Sequence, residues 1–180
     1  MPSVSKVTSA VAWKLLLGVG IAVLLSAGAN AQDAPAVTPA QGLVAQRSLS
    51  LTMAKTIAEA AMKACQAKGY HTSVAVVDRA GQVLVIMRDE QATAQTAEMA
   101  RRKAYTARMF NNTTLEFQKR TTDPTYAAQR DLTDILALGG GAPIRIGNEA
   151  VGGVGSAGST QEQDDACAKA GIASVADRLK

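Results

Sequence analysis

The chain has 180 residues, of which 47% are hydrophobic and 3% aromatic, and it carries a formal charge of +4. That length supports one globular domain with a core of Ala, Val, Ile, Leu and Met, and is short for two. So few rings exclude the aromatic platforms on which single-stranded nucleic acid stacks.

Residues 1–31 read as a signal peptide. Lys6 and Lys14 make a cationic start, Leu15 to Ala27 is apolar, and Ala29-Asn30-Ala31 is a small-residue cleavage site. The apolar run is shorter than the ~20 residues of a bilayer span, so no stable membrane insertion is expected after cleavage. A periplasmic or secreted location follows. The leader holds two of the 19 basic residues and none of the 15 acidic ones, which lowers the formal charge of the mature chain to +2. The basic pI of about 9.2 is therefore no sign of nucleic-acid binding.

Residues 32–48, with Pro35 and Pro39 and no clear period, read as a flexible segment ahead of a domain over 49–180. Ser50 or Thr52 can cap a helix whose apolar positions Met53, Ile57, Ala60, Ala61 and Ala64 share one face, and Gly69 would end it. Val74–Val77 and Val83–Met87 then predict an antiparallel hairpin turning at Asp78-Arg79-Ala80-Gly81. Both runs are apolar on both faces, which predicts a sheet covered on each side.

Thr96–Met109 returns to a helical period, with a stripe of Ala97, Ala100, Ala104 and Ala107 that allows close packing. Asn112–Arg120 and Thr125–Leu136 predict two shorter helices broken at Asp123-Pro124. The stretch Gly139–Gly158 holds eight of the 15 glycines, and its apolar runs around Gly147-Asn148-Glu149 predict a second hairpin. Its missing side chains would let helices, or a neighbouring subunit, come close. Ser159 and Glu162 spell a capping box for a last helix running to about Leu179. Strands in adjacent pairs joined by tight turns favour an α+β fold, an antiparallel sheet of about five strands with helices packed on its faces.

Cys65 and Cys167 fall on the first and last helices. In an oxidising compartment an even count favours a Cys65–Cys167 disulfide, against the alternative of two buried thiols packed as small apolar residues.

Five pieces, in this order, resemble the GlcG/HbpS family of haem-binding or haem-degrading proteins. They are Val76-Val77-Asp78 with Gly81, then Arg88, then Lys103 to Ala107, then Gly139 to Ile144 with Val151 to Gly155, and Asp164-Asp165 followed by Cys167-Ala168. The resemblance covers about residues 50–178. It implies a PAS- or profilin-like domain that assembles into homo-oligomers and, in some members, binds haem.

Haem iron takes His, Met, Cys or Tyr as axial ligand, and His71 is the only histidine. His71 is thus the candidate iron ligand, with Met99, Met109 and Tyr105 as alternatives and a plain surface histidine as the other reading. Arg88, Arg101, Lys103 and Thr106 are candidate partners for haem propionates, or else members of surface ion pairs. No zinc, catalytic-triad or phosphate-loop spacing is present. The sequence therefore favours an exported, non-catalytic haem-binding protein for storage, sensing or protection. An enzyme acting on haem or a small organic acid, and a ligand-free oligomeric interaction module, are the alternatives.

Overall fold

The computed structural model describes residues 42–180; the expected signal peptide over 1–31 and most of the 32–48 segment lie outside the described residues. Val44–Lys180 form one compact unit. Its elements are α1 (Leu51–Gln66), β1 (Ser73–Val77), β2 (Val83–Arg88), α2 (Gln95–Phe110), α3 (Thr114–Arg120), α4 (Pro124–Ala127), β3 (Gly141–Ile146), β4 (Glu149–Ala157) and α5 (Gln161–Ala173). Short 3₁₀ turns follow α4 and α5.

The sheet is antiparallel, in the order β2-β1-β4-β3. It has four strands among the described residues, not five, because the glycine-rich stretch supplies only two. The fold is α+β, as the sequence predicts. Alternation along β1 sets the layers: Val74 and Val76 pack with Ile57, Ala58 and Ala61 of α1 and Ala168 of α5, whereas Ala75 and Val77 pack with Ala100 and Ala104 of α2. The sheet is thus sandwiched between α1 and α5 on one face and α2 on the other.

The glycines of β4 explain how α2 gets so close. A Cβ at Gly155 would lie 2.7 Å from the Ala104 nitrogen, and one at Gly153 3.1 Å from the Arg108 Cβ. The small-residue stripe of α2 therefore rests on bare backbone. These glycines are covered by the chain's own helix, so they are not the subunit surface that the sequence leaves open.

Several local expectations shift. β2 is an edge strand, with Val83 43% and Ile86 44% exposed, so only β1 of the first hairpin is covered on both faces. The helix expected over 125–136 stops at Ala127 and gives way to a 3₁₀ turn. Beyond it tertiary bonds hold the backbone: Arg102 donates to the Ile135 carbonyl at 2.6 Å and the Leu136 N–H donates to Thr106 Oγ1 at 2.9 Å. The cap of α5 is Thr160, whose hydroxyl accepts from the Gln163 N–H, because Ser159 turns inward to donate to Asp164 at 2.7 Å. α5 itself ends at Ala173 rather than near Leu179. Ser50 caps α1, as predicted, and Gly81 takes φ +82° in the β1–β2 turn. Cys65 and Cys167 form a disulfide joining α1 to α5, with Cα atoms 5.6 Å apart.

Candidate functional site

His71 lies between α1 and β1. After α1 the chain turns at Gly69, with φ +77°, and the Tyr70 N–H donates back to the Cys65 carbonyl at 3.2 Å, which delivers His71 to the rim of a groove at the entry to β1. The loop after β2 forms the opposite wall. Its register is set where Arg88 pairs with Ser73 and the Asp89 N–H donates to the Thr72 carbonyl at 3.1 Å.

The Asp89 carboxylate, 4% exposed, collects three partners. Gln66 Nε2 donates to it at 2.9 Å, the Gln91 N–H at 3.0 Å, and His71 Nδ1 stands 3.1 Å away. The Gln66 and Gln91 hydrogen bonds, with a smaller contribution from His71, hold the carboxyl at about 2, below its usual 3.8. An ionised carboxylate can only accept, so Nδ1 carries the hydrogen in this contact. In the neutral ring that leaves the lone pair on Nε2. The His71 side chain is 43% exposed and faces a groove of about 300 Å³ whose walls include Tyr70, Gln91, Thr93 and Gly158. A histidine oriented through one nitrogen by a carboxylate and open at the other is the arrangement of a metal-ligating imidazole.

Because the folded-state value of Asp89 is depressed, its contribution to stability is fully present above the ordinary carboxylate range and is lost as pH falls from about 4 towards about 2. A carboxyl-carbon NMR titration should place its midpoint near pH 2. A midpoint near 4 would mean that the Gln66 and Gln91 bonds do not form.

Of the predicted partners, only Arg88 contacts the loop that walls this groove. Its guanidinium donates to the Ala92 carbonyl at 2.5 Å and the Asp89 carbonyl at 3.3 Å, bracing the loop that carries Asp89. The others are engaged elsewhere. Arg101 is bound by both oxygens of Glu98 and by Asp134. Lys103 is 2% exposed and pairs with Asp164 at 2.8 Å and the Ser156 carbonyl at 2.9 Å. Thr106 is buried and donates to the Arg102 carbonyl. These three hold the interior and the 132–139 loop together, and Lys103 and Thr106 have no face open to a ligand. The alternative iron ligands Met109 and Tyr105 pack beside Gly81 at the far end of β1, and Met99 packs against the α2 core.

Asp89 and Gln66 are the site residues that sequence reading did not join to His71. Their convergence depends on α1 and β2 meeting across β1, which no local spacing encodes. Among the described residues no group of three or more His, Cys, Asp or Glu side chains could hold a metal ion, and no helix is long and apolar enough to cross a membrane.

Comparison with known proteins agrees with this fold. HbpS from Streptomyces reticuli, in the crystal structure of a double mutant, superposes with a TM-score of 0.72 at 37% identity, covering 78% of this chain and 95% of that one. The crystal structure of a PduOC:haem complex matches with a TM-score of 0.63 at 26% identity, covering 70% of this chain and 94% of that one. An uncharacterised 15.0 kDa protein of Citrobacter freundii is 30% identical over 124 residues, 65% of this chain and 84% of its own length. Residues 49–173 match the family described as haem degrading protein HbpS-like, and the chain belongs to that family.

Proposed function

We propose that this protein is an exported haem-binding protein in which His71 Nε2 would ligate the haem iron. The observation that carries this reading is the Gln66–Asp89–His71 chain, which fixes the ring and leaves its second nitrogen at a groove. The groove's 300 Å³ lies at the small end of ligand sites, roughly 300–1,000 Å³. A porphyrin would therefore rest partly over the surface, suited to exchange, storage or sensing. Arg88, exposed at the same end of the sheet, is the propionate partner that remains. Haem in such a site would supply iron-centred redox and gas-binding chemistry; the protein's part is to hold and orient it. The Cys65–Cys167 disulfide belongs with an oxidising compartment and supports export. The exposed edge of β2 offers a surface for homo-oligomer formation.

Hemin titration tests the reading. Wild type should develop a saturable Soret band, His71→Ala should lose it, and Asp89→Asn should bind about 10–100-fold more weakly. Equal hemin binding by His71→Ala would overturn the ligand assignment. The family's description as haem degrading favours a second reading. Bleaching of bound haem by reductant and oxygen faster than free hemin would make the protein an enzyme, whereas an unchanged rate keeps it a binder.

A further inference from the structure

At the opposite end of β1, beside the β1–β2 turn, lies a cavity of about 430 Å³ lined by Gln46, Ser48, Asp78, Arg79, Ala80 and Arg108. Six residues of near-extended chain lie between His71 and Asp78, a span on the order of 20 Å, so one ligand group cannot serve both sites. We infer that this cavity binds a small monocarboxylate, gripped by the Arg108 guanidinium with Arg79 beside it.

Arg108 is a half-buried arginine whose guanidinium makes no hydrogen bond among the described residues. Its stem rests over Gly153, where α2 packs on β4, and its head lines the cavity. Its Nε is buried without a hydrogen-bond partner among the described residues, as are those of Arg102 and Arg120, but those two donate through Nη to the Ile135 carbonyl and to Gln129 Oε1, and Arg108 does not. Arg79, Arg88, Arg101 and Arg102 each donate to a carboxylate or a carbonyl. Burial, and then the charge of neighbouring Arg79, press Arg108 below the usual guanidinium value, only partly offset by Asp78 and Glu149. An acceptor arriving from solution at the Nη groups would supply the hydrogen bonds that the fold does not.

Charge selects the class of acceptor. Arg47 and Arg79 both bind Glu149. One oxygen of Asp78 is taken up by the Ala80 and Gln82 N–H groups at 2.8 and 2.9 Å. Three guanidiniums therefore face two carboxylates, a surplus of one positive charge that suits a monoanion better than a dianion such as phosphate. A planar carboxylate also matches the guanidinium fork with two parallel bonds, and the volume leaves room for a short organic tail.

The test uses the whole exported chain with propionate and inorganic phosphate as probes at matched ionic strength. Propionate should shift the NMR signals of the Arg108 Nε–H and the Ala80 and Gln82 amides saturably, and phosphate should bind more weakly. Arg108→Gln should weaken propionate about tenfold or more, while its unliganded thermal midpoint stays at or above that of wild type and its hemin response is unchanged. Arg108→Lys, keeping the charge without the fork, should fall between. Unsaturable shifts, or equal propionate affinity in Arg108→Gln, would overturn the site. Tighter binding of phosphate than propionate would overturn the assignment to a monocarboxylate.

Discussion

Asp164→Asn is expected to destabilise the fold by about 3–5 kcal/mol near neutral pH, the usual cost of leaving one member of a buried ion pair without its partner. Lys103 and Asp164 are each 2% exposed. Burial pushes the Lys103 ammonium below the ordinary lysine value, and the Asp164 charge opposes that push. Without the Asp164 charge the ammonium faces only neutral acceptors such as the Ser156 carbonyl, 2.9 Å away, and the group will shed its proton more readily. A base whose folded-state value lies below its unfolded one binds more protons when unfolded, so stability rises with pH up to the unfolded value. The cost of Asp164→Asn should accordingly grow as pH is lowered through the neutral range and shrink as it is raised.

Lys103→Met should cost less than Asp164→Asn, because Asp164 retains the Ser159 hydroxyl at 2.7 Å and the Ser159 N–H at 3.2 Å. The double variant should lose less than the sum of the two single losses, since it removes both charges together. Urea unfolding of the three variants across pH measures all of this. Strict additivity, or a loss for Asp164→Asn under about 1 kcal/mol, would show that the pair contributes no coupling. The site is also sterically prepared: a Cβ at Gly140 would lie 2.6 Å from the Ser156 carbonyl and 2.8 Å from Lys103 Nζ. A glycine in the GGG run thus makes room for a buried lysine.

Removal of the disulfide is the second large effect. Cys65 and Cys167 are buried and 102 residues apart in sequence. A loop of that length restricts the unfolded chain by about 4.7 kcal/mol in the chain-entropy model, and losses of 2–5 kcal/mol are typical of native bridges. The Cys65→Ala, Cys167→Ala double variant should lose stability within that range. Its folded spectrum should be nearly unchanged, because α1 and α5 also pack directly: a Cβ at Gly171 would lie 2.9 Å from the Ala61 Cβ. Urea midpoints with and without reductant report the difference. Identical midpoints, or thiols that alkylate in the folded protein without reduction, would remove the bridge from the account.

Much of the architecture could be read along the chain. The short β-branched apolar runs Val74–Val77 and Val83–Met87, the turn residues Asp78 and Gly81, the alanine stripe of α2 and the cap at Ser50 are local features whose physics acts within a few residues, and they correspond to elements in the fold. The element lengths that went astray are those decided from a distance. The 125–136 segment is helical by propensity, yet Arg102 and Thr106 hold its backbone out of helix. Ser159 has the capping sequence, yet its hydroxyl is drawn to Asp164.

The same division runs through the site. His71 stands out in the sequence because it is the single histidine, and haem chemistry names it at once. Lys103 and Thr106 looked equally available, because a cation and a hydroxyl on a helix carry no mark of which way the helix will face. By itself the sequence determined the α+β class, the two hairpins, the cysteine pair and the one histidine, all set by residue type and short-range periodicity. The tertiary structure alone decided that Asp89 and Gln66 stand behind His71, that Lys103 is spent on Asp164, and that Arg108 is left without a hydrogen-bond partner among the described residues. These depend on which faces of α1, α2 and β2 meet across β1, and burial and hydrogen bonding act between residues that the chain itself keeps far apart.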